Sequence, residues 1–364
     1  MNIMKGIGGL VQSMAKTVKK EETPEVTKEH HGANKLSGSM KKSMATRIAS
    51  AVVGLLILIP CLFIGDWLYL GAMVFFLAIA CWEILGCSRK RTIGIFITYF
   101  LFILLIALWP MFKSLAEGTI AFNGRIDAYF SKIYITIIVF AVLTFFLFFL
   151  MVIYKDFTVH DATFLITMGF LIGLGFQCLL YLRFLPMTAF AIQTTGAFDL
   201  SAEAVVRPSI LIVFVIFATF MTDTGAYFVG VFFGKTRMNE RISPKKTWEG
   251  FVGGVVISAV LSSVAGILLA YFDYPLLPFL DLSHWYLIVL FSLLLPFFAT
   301  LGDFVFSSIK RSWGIKDYGR LIPGHGGVLD RLDSIIFAAI MSSIFVFMVS
   351  TVLAGNFNWV EFLV

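Results

Sequence analysis

The chain has 364 residues, and 59% of them are hydrophobic while only 14% are charged, with a formal net charge of +6. Soluble domains carry about a quarter charged residues, so this composition excludes a soluble globular protein. The four cysteines form no CxxC pair, which gives no indication of a zinc site or a disulfide framework.

The first segment in chain order is a polar tail, residues 1–46, in which eight lysines stand against four glutamates. Its apolar residues recur at helical spacing beside lysines, which predicts a short amphipathic helix on an anionic leaflet. These apolar residues are Ile3, Ile7, Leu10, Val11, Met14 and Val18. A disordered basic tail is the open alternative, and residues 21–42 are predicted to be disordered.

Residues 47–364 are predicted to form one transmembrane domain. Runs of about 20 apolar residues are long enough to cross the hydrocarbon core as helices. Lipid cannot satisfy exposed backbone groups, so the predicted fold class is all-α, a polytopic transmembrane helical bundle. Nine spans are predicted, at residues 48–65, 67–86, 93–112, 133–154, 162–182, 209–234, 250–271, 285–306 and 333–354.

Basic residues concentrate in alternate loops between these spans. The loops near 235–247 and 307–331 hold five basic residues each, whereas links of the other set, such as 272–284, are short and nearly uncharged. The positive-inside rule therefore predicts a cytoplasmic N-terminus and, with nine spans, an outer C-terminus.

Carboxylates inside spans are costly and therefore call for a reason. Asp223 lies in the sixth predicted span and Asp303 in the eighth, and each leads into a basic loop. A structural hydrogen bond to a neighbouring helix is the alternative to a functional role. Glu83 lies near a predicted span end and is expected to reach water.

The end of the eighth span carries a polar stripe. Asp303, Ser307, Lys310 and Arg311 follow one another at i, i+4, i+7 and i+8, so they share one helix face. The carboxylate is deepest and the cations are nearest water, which suits a metal ion with phosphates above it. For the two cations alone, the positive-inside rule is a sufficient explanation.

A glycine-rich loop follows, between Lys316 and Asp333. Its four glycines bring bare backbone amides close together, as in loops that cradle phosphates. Asp330 and Asp333 then open the ninth span at i, i+3, so both can face one cation. Carboxylates without Cys or clustered His favour Mg²⁺ over zinc. Capping of the helix is the alternative role for both aspartates.

A second polar segment lies between the sixth and seventh spans. Small residues at 226, 230 and 234 predict a close helix–helix contact rather than chemistry. Ser243, Lys245, Lys246 and Thr247 then precede a helix N-terminus, which is itself an anion site. The segment lacks the spacing of a Walker A loop.

These segments resemble the phosphatidate cytidylyltransferase (CDP-diacylglycerol synthase) family. Residues 307–333 carry S-x-I-K-R, K-D-x-G and I-P-x-H-G-G-x-x-D-R-x-D in the spacing of the family's signature, and residues 243–250 read S-P-K-K-T-W-E-G. The resemblance implies a Mg²⁺-dependent CTP:phosphatidate cytidylyltransferase, with or without a second cation. It also implies a homodimer in a bacterial cytoplasmic membrane with the site open to the cytoplasm.

With that reaction in view, each candidate residue takes a role. The expected partners are CTP, phosphatidate and membrane lipids, with no nucleic acid. Asp303 and Asp330 are assigned to the metal, with Asp223 and Asp333 as further ligands or supports. The phosphates are assigned to Lys310, Arg311, Lys316 and Arg331. The nucleotide and lipid headgroup are assigned to Ser243, Lys245, Lys246, Thr247, Ser307, His325, Gly326 and Gly327.

Two other functions remain open from the residues. A CTP-dependent lipid kinase would use similar carboxylates and cations but would transfer the terminal phosphate; the signature argues against it. A transporter would use Asp223 and Asp303 for coupling ions, but no matched pair of broken helices occurs in the two halves.

Overall fold

The computed structural model describes most of the chain beyond the tail. The described residues are 54, 56, 59–63, 66–88, 92–116, 133–184, 200–277, 280–322 and 326–353. Within them, the side chains of 110–116, 133–135, 200–208 and 350–353 are not described. The predictions for the tail, residues 1–46, lie outside the described residues.

The described residues form eight α-helices, a short 3₁₀-helix at Leu282–His284 and one β-hairpin. The helices are α1 (Asp66–Cys87), α2 (Ile93–Ala116), α3 (Ile133–Ile153), α4 (Val159–Arg183), α5 (Leu200–Phe233), α6 (Trp248–Tyr271), α7 (Trp285–Ser312) and α8 (Leu329–Leu353). The hairpin pairs β1 (Arg237–Asn239) with β2 (Ser243–Thr247) in antiparallel fashion.

Seven of the described helices are long and apolar enough to cross a membrane: α1 and α3 to α8. The all-α polytopic architecture is thereby confirmed. The predicted third span is α2, whose apolar described part, Ile93–Trp109, is shorter than these seven. The predicted first span is described only at residues 54, 56 and 59–63. Nine spans and a cytoplasmic N-terminus therefore stay predictions.

Helix α4 is the central helix of the bundle. In the most apolar stretch of α4, 72% of the residues are buried, against 22% in the corresponding stretches of α3 and α6. It packs against α1, α2, α3, α5 and α8. A capping box starts it: the Thr158 hydroxyl accepts from the Asp161 amide at 3.4 Å, and the Asp161 carboxylate accepts from the Thr158 amide at 3.0 Å. This reciprocal cap satisfies two of the donors that a helix start leaves open.

Helices α5 and α6 cross at backbone contact. A methyl group at Gly254 would lie 2.7 Å from the Thr222 carbonyl oxygen, and one at Gly250 would lie 2.9 Å from the Ala226 carbonyl oxygen. Without a Cβ at these positions the two backbones approach closely, as in small-residue contacts between membrane helices. The predicted small-residue contact is confirmed, and its partner is the first turns of α6.

The hairpin was not predicted from the sequence. It joins the end of α5 to the start of α6, and the proline in Ser-Pro-Lys-Lys-Thr argues against a strand when read alone. The ends of α1, α5 and α7, the starts of α6 and α8, and this hairpin lie together. They carry the polar residues described next.

Candidate active site

The polar stripe predicted on α7 is present at its first two members. The Ser307 hydroxyl donates to Asp303 Oδ1 at 3.2 Å, which is the i, i+4 contact that helical geometry allows. The Asp303 side chain is 24% exposed, so the carboxylate lies near the protein surface. One Asp303 oxygen is thus oriented by a neighbour on its own helix.

Lys246 of the hairpin contacts the other oxygen of the Asp303 carboxylate. Its ammonium group donates to Asp303 Oδ2 and lies 4.5 Å from the centroid of the Phe304 ring. The Lys246 side chain is 32% exposed. The sequence assigned this lysine to substrate, and the structure adds its contact with Asp303, which is 57 residues distant in the chain.

The hairpin that carries Lys246 is held at its base. Glu249 accepts hydrogen bonds from the backbone amides of Lys235 and Thr236, each at 3.1 Å. The Thr247 hydroxyl accepts from the Gly250 amide at 3.1 Å and so caps α6. Thr247, predicted to contact substrate, is buried and serves as this cap. Lys246 therefore directly precedes a fixed helix start.

The other two hairpin residues that were predicted to contact substrate are Ser243 and Lys245. Ser243 is half-buried at the start of β2, and Lys245 is exposed. Their contact with substrate stays a prediction.

A second lysine–aspartate pair joins α7 to α8. Lys310 Nζ donates to Asp330 Oδ1 at 2.9 Å and lies 3.8 Å from Asp333 Oδ2. The Lys310 side chain is only 10% exposed and that of Asp330 only 2%. A buried pair is tolerated when further hydrogen bonds satisfy its remaining groups.

Those further bonds come from the loop before α8. Asp330 Oδ2 accepts from the Tyr318 amide at 2.9 Å and from the Gly327 amide at 3.0 Å. Gly326, with a φ of 88°, is in the left-handed region, and its carbonyl accepts from the Ile322 amide at 2.9 Å. A carboxylate of the protein itself therefore takes one of the amides that the sequence assigned to phosphate. His325 lies outside the described residues.

Tyr318 covers the buried pair, and no sequence pattern pointed to this role. Its hydroxyl donates to the Phe306 carbonyl at 3.2 Å, and its ring centroid lies 5.4 Å from Lys310 Nζ. Burial raises the pKa of this phenol well above its ordinary value, with the nearby carboxylates of Asp330 and Asp333 adding to the effect. Tyr318 therefore stays neutral and contributes packing and a hydrogen bond.

The prediction that Glu83 reaches water was wrong. Glu83 is only 6% exposed, and its two carboxylate oxygens accept hydrogen bonds from the backbone amides of Val328 and Leu329. A carboxylate inside a membrane span is costly and therefore indicates a partner. Because Glu83 lies near the end of its span, contact with water was the simpler expectation. Because Val328 and Leu329 lie at the start of α8, Glu83 contacts the signature segment.

The remaining predicted metal carboxylates lie within electrostatic range of Asp303. Asp223 and Asp333 each interact electrostatically with Asp303, and Arg331 interacts with both of them. Asp223 is exposed on α5, while Asp333 is buried and accepts from the Ser334 amide at 2.8 Å. Within the described ranges, no three His, Cys, Asp or Glu side chains are close enough to hold one metal ion by themselves.

Two predicted phosphate contacts have other surroundings. The guanidinium group of Arg311 donates to the Ile242 carbonyl at 3.3 Å and to the Ile315 carbonyl at 3.1 Å, so it links α7 to the hairpin. Lys316 is exposed in the loop that follows. Phosphate binding by either residue stays a prediction.

The sequence also matches known proteins. Residues 45–349 match the sequence profile of the Cytidylyltransferase family. The chain belongs to this family. The match includes every described residue of the two lysine–aspartate pairs.

Three relatives from bacteria show the extent of the similarity. A phosphatidate cytidylyltransferase of Staphylococcus haemolyticus is 30% identical over 81% of this chain and 95% of its own length. Those of Bacillus subtilis and Mycobacterium leprae are 45% identical over shorter matches, which span 32% and 34% of this chain and 39% and 36% of the relatives.

Proposed function

We propose that this protein transfers the cytidylyl group of CTP to phosphatidate, giving CDP-diacylglycerol and pyrophosphate. The observation that carries the proposal is the grouping of Asp303, Lys246 and the Lys310–Asp330 pair at one end of a membrane bundle. Membership in the Cytidylyltransferase family and the names of its relatives support the same reaction.

The chemistry requires alignment and charge neutralisation more than proton transfer. A phosphatidate oxygen attacks the α-phosphorus of CTP, one P–O bond forms, and the bond to the departing pyrophosphate breaks. A phosphate monoester is already largely ionised near neutral pH, so no strong general base is required. Phosphoryl-type transfers depend mainly on positioning and electrostatic stabilisation.

The cations divide into two groups by exposure. Lys246, Lys245, Lys316 and Arg331 are exposed or partly exposed, so their charges can reach the phosphates of a bound nucleotide. Lys310 is buried against Asp330, and its contribution is to hold α7 against α8. Asp303 and Asp333, which lie on those two helices, are thereby kept in register.

The donor set around Asp303 fits Mg²⁺. The ion prefers oxygen ligands, and it is usually held by one or two carboxylates together with waters and substrate phosphates. Asp303 offers a partly exposed carboxylate beside the Ser307 hydroxyl, and Asp223 and Asp333 lie within electrostatic range. When bound, Mg²⁺ would neutralise charge on the phosphates. Substrate oxygens would complete a set that the described side chains leave incomplete.

The surroundings of Asp223 suit a lipid substrate. Asp223 is exposed on α5, and Tyr227 and Val231, at i+4 and i+8 on the same face, are 67% and 63% exposed. This apolar face would lie against acyl chains, so a lipid phosphate could reach the carboxylates from the side while its chains stay in the membrane. CTP would enter from water, on the side that the positive-inside rule makes cytoplasmic. A homodimer is supported by the family resemblance alone.

Isotope-labelled CTP tests the reaction. Purified protein in detergent is given phosphatidate, Mg²⁺ and CTP labelled at either the α- or the γ-phosphorus. We expect α-label in a lipid that also contains cytosine, and γ-label only in pyrophosphate. An Asp303→Asn preparation, purified in parallel, is the control for contaminating activities. Transfer of γ-label to lipid would instead identify a lipid kinase and refute the proposal.

A further inference from the structure

Glu83 joins two distant parts of the chain. It lies near the end of α1, yet its carboxylate accepts the backbone amides of Val328 at 2.9 Å (Oε1) and Leu329 at 2.9 Å (Oε2). The contact spans 245 residues of sequence. Val328 is the last residue before α8 and Leu329 is its first residue, and both lie within the signature segment, residues 307–333.

The contact has a clear physical basis. The first amides of a helix have no partner inside it, and the helix dipole favours a negative charge at this end. Such amides are usually satisfied by a local side chain, but here the nearest acidic residue, Asp330, accepts from Gly327 and Tyr318. A second carboxylate, supplied by another helix, therefore completes the start of α8.

Two signature glycines fit closely around this carboxylate. A methyl group at Gly327 would lie 2.5 Å from both Glu83 oxygens, and one at Gly319 would overlap Oε1 and lie 2.6 Å from Cδ. Real Cβ contacts are not this short, so alanine at either position would displace Glu83 or the loop. The loop is thus built around Glu83.

We propose that Glu83 is a positioning residue for the reaction. By holding Val328 and Leu329, it fixes the start of α8, so that Asp330 meets Lys310 and Asp333 stays near Asp303. It would not contact substrate. The activity readout rests on the proposed cytidylyl transfer, whereas amide exchange in residues 326–334 tests the contact even if the reaction is a different one.

Glu83→Gln is the first test. The glutamine has nearly the same volume, but its NH₂ group turns a donor toward one of the two amides, which then loses its acceptor. We expect kcat to fall about 10- to 100-fold, as for other supporting residues behind an active site, while KM for CTP changes less than about threefold. Hydrogen exchange should accelerate in residues 326–334 and stay unchanged in residues 209–233.

Asp161→Asn is the matched control. It also removes one buried carboxylate that caps a helix, but the helix is α4 and the capped residue is Thr158. We expect exchange to change near residues 158–162 only, with kcat within about twofold of the unmodified protein. If Asp161→Asn lowers kcat and accelerates exchange in residues 326–334 as Glu83→Gln does, the effect is general destabilisation and the proposal fails.

A double-mutant cycle tests the same contact from the loop side. Gly319→Ala lies outside the membrane-spanning helices and should press on Glu83, lowering kcat about tenfold and accelerating exchange in residues 326–334. Combined with Glu83→Ala, which makes room for the new methyl group, it should cost no more than the worse single variant. If the two single-variant losses in kcat multiply in the double variant, the effects are independent and the proposal is overturned. A normal kcat in Glu83→Gln would overturn it too. A defect in the labelled-CTP assay with normal exchange would overturn it as well.

Discussion

The two lysine–aspartate pairs on α7 have the same chemistry and different environments. Lys246 and Asp303 have side chains that are 32% and 24% exposed, and the Ser307 hydroxyl is the further donor to that carboxylate among the described contacts. Lys310 and Asp330 are 10% and 2% exposed, and two backbone amides complete the carboxylate.

This difference separates the work of the two pairs. An exposed pair is worth little to stability, about 0–1 kcal/mol, and can exchange its partner for a substrate or an ion. A buried pair cannot do so without leaving a charge uncompensated. We therefore assign the exposed pair to substrate and metal binding, and the buried pair to holding α7 against α8.

The largest effect is expected when the buried pair is broken. Asp330→Asn leaves the buried Lys310 with only the more distant Asp333, at 3.8 Å, as a counter-charge, which should lower the free energy of unfolding by about 3 kcal/mol and abolish nearly all turnover. Thermal unfolding in detergent and nucleotidyl transfer measure the two losses. Asp161→Asn controls for the removal of any buried carboxylate. Normal stability in Asp330→Asn would contradict the assignment of this pair to holding α7 against α8.

Breaking the exposed pair should affect turnover without affecting stability. Asp303→Asn removes the proposed Mg²⁺ ligand, so turnover should fall about 100-fold or more, and added Mg²⁺ should restore it only in part. The free energy of unfolding should change by less than about 1 kcal/mol. Asp281→Asn is the control, because this carboxylate lies just before the opposite end of α7 and, among the described contacts, bonds to His284. Wild-type turnover at ordinary Mg²⁺ would show that Asp303 does not serve the metal.

Lys246 allows a smaller and more selective change. Lys246→Met keeps most of the side chain against Phe304 but removes the charge, so KM for CTP should rise about tenfold, equivalent to about 1.4 kcal/mol. Initial rates over a range of CTP concentrations measure this change. Lys235→Met, in the same hairpin region but outside the predicted site, is the control. An unchanged KM would mean that Lys246 neutralises Asp303 without binding nucleotide.

The smallest effect is expected from the tail, which contains no member of either pair. Deletion of residues 1–40 should leave the specific activity in detergent within a few-fold of the full-length protein. Both proteins are compared at saturating CTP and phosphatidate, with thermal unfolding as the check on folding. A loss of about 100-fold, or roughly 2.7 kcal/mol in the barrier, would show that the tail enters the site.

The sequence predicts those features that depend on near neighbours in the chain. Apolar runs located seven spans that the structure describes, because every residue of a lipid-facing helix contributes to the signal. The Asp303–Ser307 contact followed from helical periodicity, and small residues predicted the close contact of α5. The glycine loop was located correctly, although Asp330 takes the Gly327 amide that was assigned to phosphate.

Contacts between distant residues could not be predicted in this way. Lys246 meets Asp303 across 57 residues and Glu83 meets Val328 across 245, and no local pattern records either pairing. Tyr318 stands at the unspecified position of the K-D-x-G motif, so the pattern provided no reason to select it. The hairpin was not predicted because its strands have only three and five residues and one of them contains proline.

The crossing of α5 and α6 has a consequence for how this protein can diverge. On one face of α6, Val252, Val256 and Val260 are more than half exposed, and lipid accepts any apolar side chain of similar size there. On the other face, Gly250 and Gly254 have room only for hydrogen. Two substitution rates are therefore expected within one helix, a fast one toward lipid and a slow one toward α5. Neutral substitutions in α6 would be confined to its lipid-facing residues. The start of α6, which follows Lys246, would keep its position against α5 while the lipid-facing surface changed.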